Sequence, residues 1–317
     1  MYFIKAQEYR YEWWRFIPTL LITFGFYFIS AYILMSIVVA FNIANGIPMD
    51  PETFRNTADP EALGMSQNMS LVVFLAPSVI AFFTLWLTIM KFHRVPSGNI
   101  ASAYGRIRWG RLFSSALIWL ILLMLAELLM YSLAPDNYQY NFNRTEFIPL
   151  LILAVLLIPF QASFEELLFR GYLMQGTGLL FRSRIVAVIL TSVAFGVAHA
   201  LNPEVKEFGY LATMPYYISF GLFTGLIVIL DNGIEIACGI HMINNLYGSV
   251  LVTYESSVLK TPALWTLRKV DPWMMTPAFL VMAVIFLLIM RRKYAWKEWK
   301  KIFRRIPRLS EMDTTGK

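Results

Sequence analysis

Long apolar runs separated by short polar segments make up most of this chain. A helix needs about 20 mainly apolar residues, each rising about 1.5 Å, to cross the hydrocarbon core of a bilayer. Small and polar residues interrupt the fifth to seventh runs. The pattern predicts an all-α polytopic membrane protein with about eight transmembrane helices. The runs cover residues 16–41, 69–90, 112–134, 147–174, 185–201, 210–230, 233–253 and 275–290.

The composition also favours a membrane protein. Hydrophobic residues make up 58% of the 317 positions and charged residues 15%, whereas soluble domains carry about 25% charged residues. The single cysteine, Cys238, lies in an apolar run, which indicates a buried packing residue and no disulfide framework. No repeat or long linker divides the chain, so we interpret 1–317 as one integral membrane domain.

The positions of lysine and arginine predict the orientation, because cytoplasmic loops are enriched in these residues. They accumulate before the first run, after the second run, at 182–184 and in the tail 291–317. The other loops have mixed charges, although Lys260, Arg268 and Lys269 make the last loop fit less well. We expect both termini to be cytoplasmic and the protein to lie in the plasma (inner) membrane. The net charge of +7 then reflects topology and not a nucleic-acid partner.

Both ends of the chain combine aromatic and basic residues, as membrane-surface segments do. The residues before the first run include Tyr2, Phe3, Tyr9, Tyr11, Trp13 and Trp14. Apolar residues recur at helical spacing among the basic residues of the tail, at Trp296, Trp299, Ile302, Phe303 and Ile306. We therefore expect interfacial ends, with a basic amphipathic helix in the tail that contacts anionic lipid.

Two adjacent carboxylates and an arginine interrupt the fourth apolar run at Glu165, Glu166 and Arg170. Each such group costs roughly 2.5–3.5 kcal/mol on insertion scales, and intramembrane ionisable residues are usually functional. Glu166 and Arg170 have the i,i+4 spacing of an intrahelical ion pair. Glu165 is turned about 100° away on the helix and is free to face another partner.

The other polar candidates inside apolar runs are His199, His241 and Asn245. His93 lies in a basic loop, where we expect a solvated side chain. Helix rise from the predicted cytoplasmic edges places Glu165, His199, His241 and Asn245 at depths of roughly 15, 21, 12 and 18 Å. His241 and Asn245 share a helix face, although spacing alone does not separate Asn245 from Asn244. Three helices thus bring polar groups to a similar depth.

This set of side chains suits hydrolysis without a covalent nucleophile. A glutamate and a histidine can activate water as a general base, and a histidine with an asparagine amide can donate to an oxyanion. The chain has neither an HExxH zinc-protease motif nor a GxSxG elbow. A zinc site formed by Glu165 and the two intramembrane histidines is the alternative, with asparagine an unusual ligand.

The polar positions resemble the motifs of a known family. Glu165-Glu166-x-x-x-Arg170, Phe195-x-x-x-His199 and His241-x-x-x-Asn245 look like the three motifs of the CAAX-protease and bacteriocin-processing (CPBP) family of intramembrane endopeptidases. The resemblance covers residues 147–250, which we therefore interpret as a CPBP-like catalytic core. All three motifs occur in order on successive runs, which is more specific than the first motif alone.

The resemblance implies a role for each residue. Glu165 would be the general base that activates water with the help of His199, and no metal ligand would be needed. Glu166 would be structural and paired with Arg170. The oxyanion hole would be formed by His241 and Asn245. The substrate would be a membrane-embedded or lipidated peptide, whose identity the resemblance does not supply.

Three other interpretations compete with a protease. The polar groups could only hold the helices together, as hydrogen-bonding residues do in membrane bundles. A non-catalytic immunity or binding protein of the same fold would keep its phenotype after Glu165→Ala. A transporter would use the buried groups for proton relay and would show repeated halves, which the sequence lacks.

Overall fold

A computed structural model describes residues 2–52 and 60–313 of the chain. The described chain is mostly helical, with a few 3-10 turns and a small sheet. The helices are α1 (Tyr2–Ala6), α2 (Phe16–Ala44), α3 (Gln67–Phe92), α4 (Ser97–Ile100), α5 (Trp109–Leu133), α6 (Arg144–Glu166), α7 (Met174–Phe181), α8 (Arg184–Ala198), α9 (Pro203–Phe208), α10 (Tyr210–Asp231), α11 (Glu235–Val250), α12 (Pro272–Tyr294) and α13 (Leu309–Asp313). The strands are β1 (Tyr138–Tyr140), β2 (Val252–Tyr254) and β3 (Trp265–Leu267).

Six of the described helical segments are long and apolar enough to cross a membrane. Each of the eight predicted runs contains a helix, but α8 and α11, from the fifth and seventh runs, have only 15 and 16 residues. At about 1.5 Å per residue, neither spans the roughly 30 Å hydrocarbon core. The chain is therefore an integral membrane protein in which two short helices complete the bundle. The six segments are Trp13–Ala44, Gln67–Phe92, Trp109–Leu133, Arg144–Phe181, Tyr210–Asp231 and Pro272–Tyr294.

Helix α11 packs between α5 and α6 and also contacts α10. Around these helices, α3 packs on α2 and α6, and α10 packs on α8 and α12. The core holds large apolar side chains such as Trp119, whereas Leu21 and Leu128 on the outer faces are exposed. An apolar exterior around a packed interior is what a lipid solvent requires.

The loops collect at two ends of the bundle. At one end, Ser102 forms a β-bridge with Gly233 and Ser183 forms one with Arg305. At the opposite end, β3 pairs antiparallel with β1 and parallel with β2. We call these the basic end and the sheet end. The loops alternate between the ends in chain order, as the lysine and arginine positions predict, and the side of the membrane that each end faces stays a prediction.

The expectation of an amphipathic helix in the tail is wrong. Helix α12 ends at Tyr294, and the next residue, Ala295, adopts a left-handed backbone conformation with a φ of 51°. A 3-10 turn at Trp299–Phe303 follows, and extended chain comes after it. Trp296 and Ile306 are buried in the core instead of lying on one helix face. The tail folds back and buries Trp296, Ile302 and Ile306 against the core at the basic end, because burial of apolar side chains is favourable.

Hydrogen bonds in both directions join the tail to the helices at that end. Lys301 Nζ donates to the Leu230 carbonyl across 2.9 Å, and Arg184 Nη1 donates to the Arg304 carbonyl across 2.6 Å. Helix ends leave carbonyl groups without partners, so a basic segment is well suited to this position.

His93 differs from the solvated loop residue that we expected. Its side chain is fully buried, with Nδ1 2.6 Å from the Arg10 carbonyl and Nε2 2.7 Å from the Tyr172 hydroxyl. A carbonyl only accepts, so Nδ1 donates and Nε2 accepts from Tyr172. Burial lowers the pKa of His93 from 6.5 to about 4 and keeps the ring neutral. The residue fastens the N-terminal segment to the end of α3.

Candidate active site

The two glutamates lie where regular helix changes into a wider turn. Helix α6 continues through Pro149 and Pro159 to Glu166, and a π-helical segment follows at Leu167–Leu173. Single π-turns in helices occur frequently at functional sites. Gly171 packs closely within this turn, since a Cβ there would lie 2.8 Å from Leu167 Cδ1 and the leucine side chain would have to move. The turn carries Arg170 back into the protein interior.

Glu166 lies between a cation and an imidazole. Its Oε1 is 3.3 Å from Arg170 Nη1 and 2.8 Å from His241 Nδ1. All three side chains are buried. The Arg170 guanidinium also lies 4.3 Å from the centroid of the Phe195 ring, within cation–π distance. Glu166 therefore faces both the predicted ion-pair partner and His241 on α11.

Glu165 faces the two intramembrane histidines. Its Oε2 lies 3.7 Å from His199 Nε2 and 3.7 Å from His241 Nε2. These separations are too long for direct hydrogen bonds, and Oε2 has no hydrogen-bond partner among the described residues. The Glu165 side chain keeps 19% of its surface exposed and that of His199 18%. The three groups thus converge on Oε2, an oxygen that is itself buried although the side chains around it are partly exposed.

His199 is held at the end of a helix and not within one. Helix α8 ends at Ala198, and His199 is its C-cap residue. His199 Nδ1 lies 2.8 Å from the Phe195 carbonyl and donates to it, which directs Nε2 towards Glu165. The ring packs against Phe195 and Tyr217, each with its centroid 4.4 Å away. These aromatic contacts restrict the orientation of the imidazole.

The structure separates the two asparagines that spacing left open. Asn245 Nδ2 donates to Gln161 Oε1 across 3.0 Å, beside Glu165. Asn244 instead accepts from Trp119 Nε1 across 3.4 Å. Of the two, Asn245 therefore connects to the glutamate site.

Two further residues of the site, Gln161 and Tyr217, were not predicted from the sequence. Gln161 Nε2 donates to Glu165 Oε1 across 2.5 Å, and Tyr217 stacks on His199. Gln161 lies four residues before Glu165 on the same helix face, so helical spacing would have found it. Tyr217 carries no such signal, because tyrosines are common in spans near the interface.

The arrangement of possible metal ligands bears on the zinc alternative. Among residues 2–52 and 60–313, no group of three or more histidine, cysteine or acidic side chains is arranged to hold a metal ion. The mechanism proposed below needs no metal, and a chelator experiment tests the alternative.

Comparisons with known proteins identify the region that carries this site. The fold and site define a polytopic membrane protein with a polar centre of glutamate, histidine and asparagine. Residues 144–247 match the family described as Type II CAAX prenyl endopeptidase Rce1-like. This segment is thus a CPBP-family domain and contains all six predicted site residues, from Glu165 to Asn245.

One similar curated protein has no assigned activity. The chain is 29% identical over 287 residues to "Uncharacterized protein YyaK" of Bacillus subtilis (strain 168). The alignment covers 89% of this chain and 92% of that protein. No solved structure matches the chain. The family domain indicates a peptidase and a protein or peptide substrate.

Proposed function

We propose that this protein is an intramembrane endopeptidase that hydrolyses a peptide bond of a membrane-associated protein or lipidated peptide. The observation that carries the proposal is Glu165 Oε2, which lies 3.7 Å from both histidine Nε2 atoms inside the family domain. A carboxylate in this setting can act as a general base only if water reaches it. Oε2 itself is buried, whereas the rest of the Glu165 side chain and His199 keep part of their surface exposed, so the proposal requires water to enter beside them.

In the proposed attack on the peptide bond, one water molecule donates hydrogen bonds to two acceptors, Glu165 and His199. A neutral His199 has Nδ1–H on the Phe195 carbonyl and presents the Nε2 lone pair. Water donates one hydrogen to Glu165 and the other to His199, so an oxygen lone pair points at the substrate carbonyl carbon. Glu165 takes a proton as the carbon–oxygen bond forms. It then gives this proton to the leaving amine nitrogen as the carbon–nitrogen bond breaks.

The oxyanion would be stabilised from the α11 side. Asn245 Nδ2 has a second N–H beyond the one that Gln161 accepts. His241 contributes Nε2–H when its ring is doubly protonated, with Nδ1–H on Glu166. Each preorganised hydrogen-bond donor to an oxyanion raises kcat by about 10²–10³-fold. Glu166 thus orients His241, in addition to its structural pairing with Arg170.

The orientation belongs to the same proposal. The basic end would face the cytoplasm, with both termini there, and the tail 291–317 would contact anionic lipid of the plasma membrane. Exposed side chains of Trp13, Trp14 and Phe303 at this end support an interfacial position. Residues 291–313, the described part of the tail, would contact the lipid as a folded cap on the bundle.

The test is peptide cleavage by purified protein in detergent, with a library of prenylated and lipidated peptides. Glu165→Gln should lower kcat at least about 10³-fold, because the amide cannot accept the proton from water. Glu127→Gln is the matched control, since Glu127 binds Tyr138 and Tyr247 outside the site. Activity of E127Q should equal wild type. Equal cleavage by E165Q would contradict the proposal.

Further arms of this experiment separate the alternatives. Activity that survives EDTA supports the glutamate mechanism, whereas loss on EDTA treatment with recovery on zinc addition would favour a metal site. If no peptide is cleaved and E165A keeps the cellular phenotype, the non-catalytic immunity or binding protein is favoured. Proton-coupled flux in vesicles would favour the transporter.

A further inference from the structure

Gln161 joins the proposed base to the proposed oxyanion hole. It lies one helical turn before Glu165, and its side chain is buried in the bundle. Its amide nitrogen is 2.5 Å from Glu165 Oε1, and its amide oxygen is 3.0 Å from Asn245 Nδ2. One side chain on α6 therefore contacts functional groups on two helices.

Hydrogen-bond chemistry fixes the direction of this chain. An ionised carboxylate can only accept, so Gln161 must turn its NH₂ group to Glu165. The Gln161 oxygen then faces Asn245 and accepts an N–H from it. Asn245 is thereby held with its NH₂ group inwards and one N–H left for another partner. With Gln161 flipped, both contacts would be lost together.

We infer that Gln161 is a positioning residue that couples the ionised state of Glu165 to the donor orientation of Asn245. This inference rests on the proposed function. A charged carboxylate selects one Gln161 orientation, which in turn selects the Asn245 orientation that stabilises an oxyanion. The base and the oxyanion hole are thus prepared in the same state, before substrate arrives.

Other groups near Glu165 are present in every variant and set a common background. These groups are Tyr27 on α2, Glu166 and Arg170 on α6 and its π-turn, His199 at the end of α8, and His241 on α11. A change at Gln161 leaves all of them in place. A shift in the pH–rate profile can therefore be attributed to the lost amide.

The experiment compares Gln161→Leu with wild type under the conditions that show cleavage. Leucine is compatible with a spanning helix, so Q161L should fold. We expect kcat to fall about 10- to 100-fold with KM nearly unchanged, because the reacting groups are displaced while substrate contacts remain. The acid limb of the pH–rate profile should move to higher pH, since the ionised carboxylate loses a hydrogen-bond donor.

Gln175→Leu is the matched control. Gln175 is a second buried glutamine, and it accepts from the Tyr11 hydroxyl across 2.6 Å at the basic end. Q175L removes the same chemical group without touching the site. Its kcat and pH profile should equal those of wild type.

Gln161→Glu tests the same inference with an isosteric side chain. While the introduced carboxyl group and Glu165 share one proton, the new side chain can reproduce both contacts of the amide. Once the pair loses that proton at higher pH, the carboxylates repel each other and the donor to Glu165 is gone. The activity of Q161E should therefore fall at alkaline pH, whereas the activities of wild type and Q175L should not.

The outcomes are distinguishable. Wild-type kcat and pH profile in Q161L would overturn the inference while leaving the proposed function in place. If Q161L does not fold, Q161E decides, and a wild-type profile in Q161E overturns the inference. If wild-type protein cleaves no peptide, the proposed function and this inference fall together.

Discussion

At the scale of single residues, the sequence predicts a group by helix face and depth, and the structure adds the contacts. Glu165, His199, His241 and Asn245 do meet around one point. Gln161 was missed because a single glutamine in an apolar run has many ordinary uses. His93 was misinterpreted because loop composition does not show that the N-terminal segment covers it.

Glu166 and Arg170 provide a test of a buried charge pair. Removal of one partner leaves an uncompensated buried charge, which costs about 3–5 kcal/mol. We expect Glu166→Leu and Arg170→Leu each to lose folded protein, while the double variant recovers part of it. Size-exclusion profiles and thermal melts in detergent measure this, with Glu12→Gln in an exposed ion pair as the control. Normal accumulation of inactive E166Q would contradict the structural role and show that Glu166 acts in catalysis, either through His241 or directly.

At the scale of elements, hydropathy locates helices better than it locates their ends. Helix α8 stops at Ala198, three residues earlier than the predicted run, so His199 lies at a helix terminus. The π-turn at Leu167–Leu173 leaves no signature in the apolar pattern. The tail fails as an amphipathic helix because its docking surface is formed by other helices. Local periodicity cannot report such tertiary contacts.

The contact between the N-terminal segment and α3 should depend on pH. The folded pKa of His93, about 4, is below its usual 6.5. Its contribution to stability is therefore complete above about pH 6.5 and is lost as pH falls towards 4, by at most about 1.4 kcal/mol per pH unit. In thermal melts between pH 7 and 4, His93→Gln should reduce the slope of Tm against pH. Identical slopes would show that His93 does not titrate on unfolding.

At the scale of the whole molecule, alternating charge in the loops predicts which loops share an end. The sheet was not predicted, since strands of three residues from distant loops carry no alternating pattern. On α11 the site lies nearer the sheet end than the basic end. Asn245 is five residues, about 8 Å, before the end of α11 at Val250. A Cβ at Gly248 would meet no atom of residues 2–52 and 60–313 within 4 Å, so that part of the structure leaves open space beside α11.

Orientation therefore decides from which side a substrate reaches the site. Cys238 is buried, so single introduced cysteines can be labelled over a low background. With an impermeant maleimide on intact cells, Glu255→Cys at the sheet end should react. Lys297→Cys at the basic end should react only after permeabilisation, because the basic loops are held in the cytoplasm. The opposite pattern would invert the protein and place the site nearer the cytoplasmic face. The predicted pattern would instead favour substrates whose cleaved segment approaches from outside.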